Sequence, residues 1–204
     1  MIIAIDGPAA AGKGTLARHL AAHFSLPHLD TGLLYRAVGR LVLDQAKSPA
    51  DPVAAVAAAK TLRAENLSRA DLRGPDADAA AAAVAAIPGV RAALLKFQRD
   101  FGRQPGGAVL DGRDIGTVIF PDADAKFWVT ASAEVRGYRR WRELYFTGVV
   151  ADEAEVTDDV RRRDARDAAR LVAADDAWHL DTTELGPAAT LSRALALLAE
   201  HGCR

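Results

Sequence analysis

The sequence predicts an α/β fold: a doubly wound parallel sheet carrying a P-loop, with helices on both faces. Three observations carry this. Short apolar runs alternate with segments of helical period along the whole chain. A glycine-rich stretch, Gly7–Thr15, stands between the first apolar run and the first helix. Charged or glycine-bearing segments follow the strands, where open parallel sheets bind ligands. The 204 residues are 50% hydrophobic and 26% charged, a globular balance that suits one domain with a small insert.

Each element has a local reason. Ile2–Ile5 is apolar and ends at Asp6-Gly7-Pro8, a buried strand entering a turn. Leu16, Leu20 and Phe24 give Lys13–Phe24 helical spacing. His28-Leu29-Asp30 is a brief second strand. Thr31–Leu43 is helical, with Leu34, Val38, Leu41 and Val42 on one face, and Val53–Leu62 resumes as an alanine-rich helix. Residues 64–76 are polar and read as a linker or small insert. Helix returns over about 77–102, split at Pro88-Gly89. Ala108–Asp111 and Lys126–Thr130 are strands; Ala133–Phe146 and Glu153–Arg170 are charged helices around Gly148. Ala177–Asp181 is a last strand and Pro187–Ala199 a last helix.

Composition excludes several classes. A net charge of -1 with pI near 6.5 argues against a broad basic surface for duplex DNA or anionic membrane. The single cysteine, Cys203, excludes a disulfide framework or cysteine zinc cluster, and fits a reducing cytoplasm. The N-terminal MIIAIDGP does not read as a signal peptide, and no run approaches the roughly 18 apolar residues of a spanning helix. The five histidines lack metal-ligand spacing. The 26 basic residues divide into 21 arginines and 5 lysines. Coding bias accounts for most of that excess, and a site that grips phosphates with planar forks would use the rest.

Gly7, Pro8, Ala9, Ala10, Ala11, Gly12 and Lys13, followed by Gly14 and Thr15, fit G-x-x-x-x-G-K after a strand and before a helix. Such glycines let the backbone curl its N–H groups around phosphates, and the helix start adds its positive end. Lys13 can follow the transferring phosphoryl group. Gly14 replaces the usual Ser or Thr ligand of magnesium. Mg2+ bound with ATP would then be held by phosphates and water, with Thr15 the available hydroxyl. Arg36, Arg91, Arg113 and Arg170 are candidates for a second, anionic acceptor, whose charge beside ATP must be neutralised. Arg136, Arg139, Arg140 and Arg142, with Arg161, Arg162, Arg163 and Arg166 beyond Gly148, have two readings. They pair along helices with Asp164 and Asp167, or they form a mobile cover that excludes water. No N-K-x-D guanine reader is present.

The G-K-G-T ending is what nucleoside monophosphate kinases show. Four segments make the chain resemble the bacterial cytidylate kinases: IAIDGPAAAGKGTLAR from Ile3, LDTGLLYR from Leu29, LDGRDIGTVIF from Leu110 and RDARDAAR from Arg163. The resemblance implies ATP-dependent phosphorylation of CMP or dCMP in one kinase domain. Its core would be 1–30, 104–135 and 171–204, its acceptor-binding insert about 31–103 and its lid about 136–170. It implies that Gly7–Thr15 bind ATP and that Lys13, Arg113, Arg139 and Arg140 act on the transferred group. Thr31, Tyr35, Arg36, Arg113 and Arg170 would hold the CMP phosphate end. Arg91 and Asp114 would contact cytosine, and Arg163 and Asp167 the ribose. A cytoplasmic monomer with no nucleic acid or membrane partner is expected. Ala82 stands where the family has a base-reading serine, which weakens discrimination against uracil. Ala10 replaces a loop glycine, which is tolerable where that residue avoids positive φ. The segments at 64–77 and 171–177 are short for the family. The alternatives are a P-loop kinase of another small acceptor such as UMP, and a catalytically impaired nucleotide-binding homologue.

Overall fold

The computed structural model describes residues 1–203. The strands are β1 (Ile2–Asp6), β2 (His28–Asp30), β3 (Ala108–Gly112), β4 (Ala125–Thr130) and β5 (Trp178–Asp181). They form one sheet in the order β2-β3-β1-β4-β5. β1 pairs in parallel with β3 and β4, and β4 with β5. β1 and β2, and likewise β3 and β4, follow each other in sequence but are separated in the sheet by one strand, and helices make the crossovers.

The chain divides into two compact units. The first, Met1–Leu29 with Pro105–Arg204, is built on the sheet. Helix α1 (Lys13–Phe24) lays Leu16, Leu20 and Ala17 on it, and α8 (Pro187–Glu200) adds Ala194, Leu197 and Leu198. Ile3, Ile5, Val109, Phe127 and Val129 fill the same core. The strands are apolar on both faces because both are covered: Ala4, Leu110, Ile115, Ile119 and Phe120 are also buried. Helices α6 (Ala133–Phe146) and α7 (Glu153–Asp167) pack on each other where Gly137 meets Thr157. A β-carbon at Gly137 would lie 2.1 Å from Thr157 Oγ1, so no larger residue allows that approach.

The second unit, Asp30–Gln104, is helical. It holds α2 (Thr31–Leu43), α3 (Pro52–Lys60), α4 (Pro75–Ala85) and α5 (Pro88–Gly102). Leu34, Val38 and Val42 of α2 meet a largely alanine surface, Ala77, Ala80, Ala81 and Val84 of α4. Small residues let the backbones approach: a β-carbon at Gly39 would sit 2.7 Å from that of Ala80. Asp30 caps α2 through Gly32 N at 2.9 Å, and Asp51 caps α3. The polar stretch expected as a linker is ordered differently. Ala64–Ser68 is a 3₁₀ turn and α4 starts at Pro75, since proline suits a first helical turn. Arg69 ties this stretch down by pairing with Asp44 and Asp71, and Arg40 joins Asp71 at 2.9 Å. Among the described residues no single helix is long and apolar enough to cross a membrane.

Candidate active site

The phosphate loop lies between β1 and α1, and its backbone is what distinguishes it. Gly7 has φ 146, and a β-carbon there would lie 2.0 Å from the Val129 carbonyl oxygen. Gly12 has φ 94 and ends the loop in the left-handed region. No side chain caps α1 and its first turn has no acidic residue, so its N-terminal N–H groups and positive end are left to an anion. Three loop carbonyls are held by cations or hydroxyls: Lys13 Nζ donates to Pro8 O at 2.7 Å, Arg136 Nη1 to Ala9 O at 3.3 Å, and Thr182 Oγ1 to Ala11 O at 3.0 Å. A carbonyl held on one side directs the next N–H to the other. Ala10 corrects the expectation drawn from its replacement of a glycine. It does adopt positive φ, 59, so the loop carries strain of about 1–2 kcal/mol.

Thr182 is a support that the sequence does not single out, and Arg136, one of the arginines with two readings, is a second. Arg136, 6% exposed, forks onto Asp164 of α7 at 3.0 and 2.6 Å and also donates to Ala131 O. It therefore pairs the two helices rather than covering phosphates. Arg139, expected on the transferred group, points to the loop after β5. It donates to Thr182 Oγ1 at 2.9 Å and Thr182 O at 2.7 Å. Burial lowers its pKa, against the raising charge of Asp181. Arg140 pairs with Glu143 at 2.7 Å.

Arg113 and Asp114 follow β3. Arg113 Nε donates to Asp167 Oδ2 at 3.2 Å, and Arg170 Nη2 to Asp167 Oδ1 at 2.5 Å. Burial would raise the Asp167 pKa, but the charges of Arg113, Arg170 and Arg163 together hold it below its ordinary value. The helix expected to reach Arg170 ends at Asp167, and Arg170 bonds back through its backbone at 2.8 Å. Asp111, one residue before the D-G-R-D glycine, pairs with His28 at 2.7 Å. Its Oδ2 would lie 3.7 Å from a β-carbon at Gly14, so a carboxylate stands beside the position lacking a hydroxyl. Thr15 Oγ1 accepts from Arg18 at 3.2 Å.

In the helical unit, Thr31 is buried at the start of α2. Tyr35 Oη accepts from Arg91 at 3.4 Å. Arg36 Nε and Nη2 both reach Asp78 Oδ1 at 3.0 Å. Asp78 and Ala82 lie one turn apart on α4, and Ala82 is exposed. Among the described residues no group of three or more His, Cys, Asp or Glu side chains could cage a metal.

A parallel sheet whose central strand opens into a phosphate loop with its lysine defines a P-loop phosphotransferase. The chain matches the family model described as cytidylate kinase over residues 3–200. It is 57% identical over 202 residues to a cytidylate kinase of Methylocella silvestris, covering 97% of this chain and 94% of that one. A cytidylate kinase of Granulibacter bethesdensis is 59% identical over 198 residues, covering 95% and 94%. This chain belongs to the cytidylate kinase family. Two solved structures share the fold. TT1252 from Thermus thermophilus matches with TM-score 0.51 at 24% identity over 98% of this chain and 97% of that one. An uncharacterized protein from Eubacterium ventriosum matches with TM-score 0.55 at 13% identity over 100% and 99%.

Proposed function

We propose that the chain transfers the γ-phosphoryl group of ATP to CMP or dCMP, giving ADP and the nucleoside diphosphate. The observation that carries this is the convergence of Arg113 and Arg170 on one carboxylate, Asp167, in the unit that bears the phosphate loop. Two guanidinium forks on one anion are a ready seat for the acceptor phosphate, with Asp167 released to the ribose hydroxyls. Gly7–Thr15 take the ATP phosphates, and Lys13 follows the transferred group once it leaves Pro8 O. Arg113 and Arg140 add charge stabilisation, and Arg139 joins them only by leaving Thr182. The acceptor oxygen is already anionic, so no general base is needed.

Thr31, Tyr35, Arg36 and Arg91 are the acceptor-binding residues of the helical unit, and Asp114 and Arg163 serve the nucleoside in the unit built on the sheet. The carboxylate of Asp114 suits the exocyclic amino group of cytosine, which is a donor. Magnesium bound with ATP would supply charge neutralisation. Thr15 and Asp111 would hold its water shell, since the described residues offer no side-chain cage. Residues 31–103 act as the acceptor-binding insert and 136–170 as the lid, and the enzyme works as a cytoplasmic monomer. Exposed, hydroxyl-free Ala82 supports a looser reading of the base. Coupled ADP release with CMP, dCMP and UMP tests the proposal. CMP and dCMP are expected to exceed UMP, and UMP turning over fastest would move the assignment to another acceptor.

A further inference from the structure

Asp6 is the last residue of β1, paired in register with Gly112 of β3 and Trp128 of β4. It is 6% exposed. Its Oδ1 accepts from Ile115 N at 2.8 Å and its Oδ2 from Gly116 N at 2.7 Å. These N–H groups open the wide π-helical turn Ile115–Ile119, which Asp114 does not cap with its own side chain. The cap comes instead from a strand 109 residues earlier in sequence. Gly116 also faces Lys126: a β-carbon there would lie 3.2 Å from Lys126 Cδ, and at an ordinary 3.5 Å from Asp6 Oδ2.

We propose that Asp6 is a positioning residue for phosphoryl transfer, one carboxylate that fixes the Arg113-Asp114 turn against the phosphate loop it is bonded to. Arg113 and Asp114 are held by the β3 ladder before them and by Asp6 just after them. Gly7 follows Asp6 directly, so a shift of the carboxylate moves both phosphate-handling segments. Displacement of reacting groups by about 1 Å costs on the order of 100-fold in rate.

The chemistry of the site agrees. Burial raises the Asp6 pKa to about 6 and the charge of Asp114 adds to that, while the two N–H groups and Lys13 oppose it. Lys126, the other charge on this face, is engaged by Pro121 O and Asp176, and Asp111 turns to His28. An ionised carboxylate kept there at neutral pH opposes folding, a pattern that marks functional groups.

The proposal rests on the reading that the chain phosphorylates CMP. In the full chain, Asp6→Asn sets an amide N–H against one of the two backbone donors. Its expected effect is a fall in kcat of about 100-fold with both KM values within about threefold, and a cooperative melt. In the wild type without substrate, the Gly116 amide resonance titrates with a midpoint near pH 6, and Asp6→Asn abolishes that transition. A folded Asp6→Asn with kcat near wild type, or a Gly116 amide with no transition, overturns the proposal. A wild type inactive on CMP but showing the amide transition overturns the acceptor reading instead.

Discussion

On the proposed reading, the phosphate loop and the acceptor arginines handle the same kind of charge by opposite means. The loop uses backbone, fixed by glycine geometry at Gly7 and Gly12 and by an uncapped helix start. The arginines use long side chains, and three have a carboxylate at hand, Asp167 for Arg113 and Arg170 and Asp78 for Arg36, while Arg91 reaches the Tyr35 hydroxyl. Backbone N–H groups lose no side-chain freedom on binding, so that half stands ready. A guanidinium must be paired to be partly buried, so on the proposed reading the other half waits in ion pairs that an acceptor phosphate would exchange into.

The difference can be broken in several places. Arg113→Ala carries the largest expected effect, a kcat loss of about 10²–10³-fold in steady-state assays, because its charge acts on the transition state. A rise in KM alone would make it a binding residue only. Arg136→Ala removes a cation that joins α6, α7 and the Ala9 carbonyl and takes the guanidinium fork off Asp164. Thermal melts are expected to show a loss of about 3 kcal/mol; a loss under about 1 kcal/mol would make the contact incidental.

The Asp167 pairing predicts a pH dependence. Its folded pKa is lowered, so its contribution is present above the ordinary value near 3.8 and disappears as pH falls through the lower folded one. Melting temperature is thus expected to fall more steeply with acidification below about pH 4 in the wild type than in Asp167→Asn. Parallel curves would show that the pair adds nothing. The smallest effect tests the loop: Ala10→Gly relieves the positive φ and raises stability by about 1 kcal/mol, or about 3 °C in melting temperature. A drop instead would mean that loop entropy outweighs strain.

The same contrast explains what was legible in the sequence. The bounds of α1 and the split between α4 and α5 at Pro88 follow from local spacing and proline. The loop was legible because glycines, lysine and strand adjoin in nine residues. Its supports were not. Asp6, Arg136 and Thr182 act on groups 109, 127 and 171 residues away, and no local pattern records such partners. Arginine spacing in α6 and α7 left two readings open. Burial separates them for Arg136, whose fork serves helix packing. Ala10 was misjudged because its φ is set by the loop's closure around it, not by its own preference.

The central claim is that the two halves cooperate in transfer rather than hydrolysis. Product partition with labelled ATP and CMP measures it directly. The account predicts ADP and labelled CDP in equal amounts, with little free phosphate above the ATP-only rate. ADP accompanied by free phosphate, or no ADP above that rate, would contradict it.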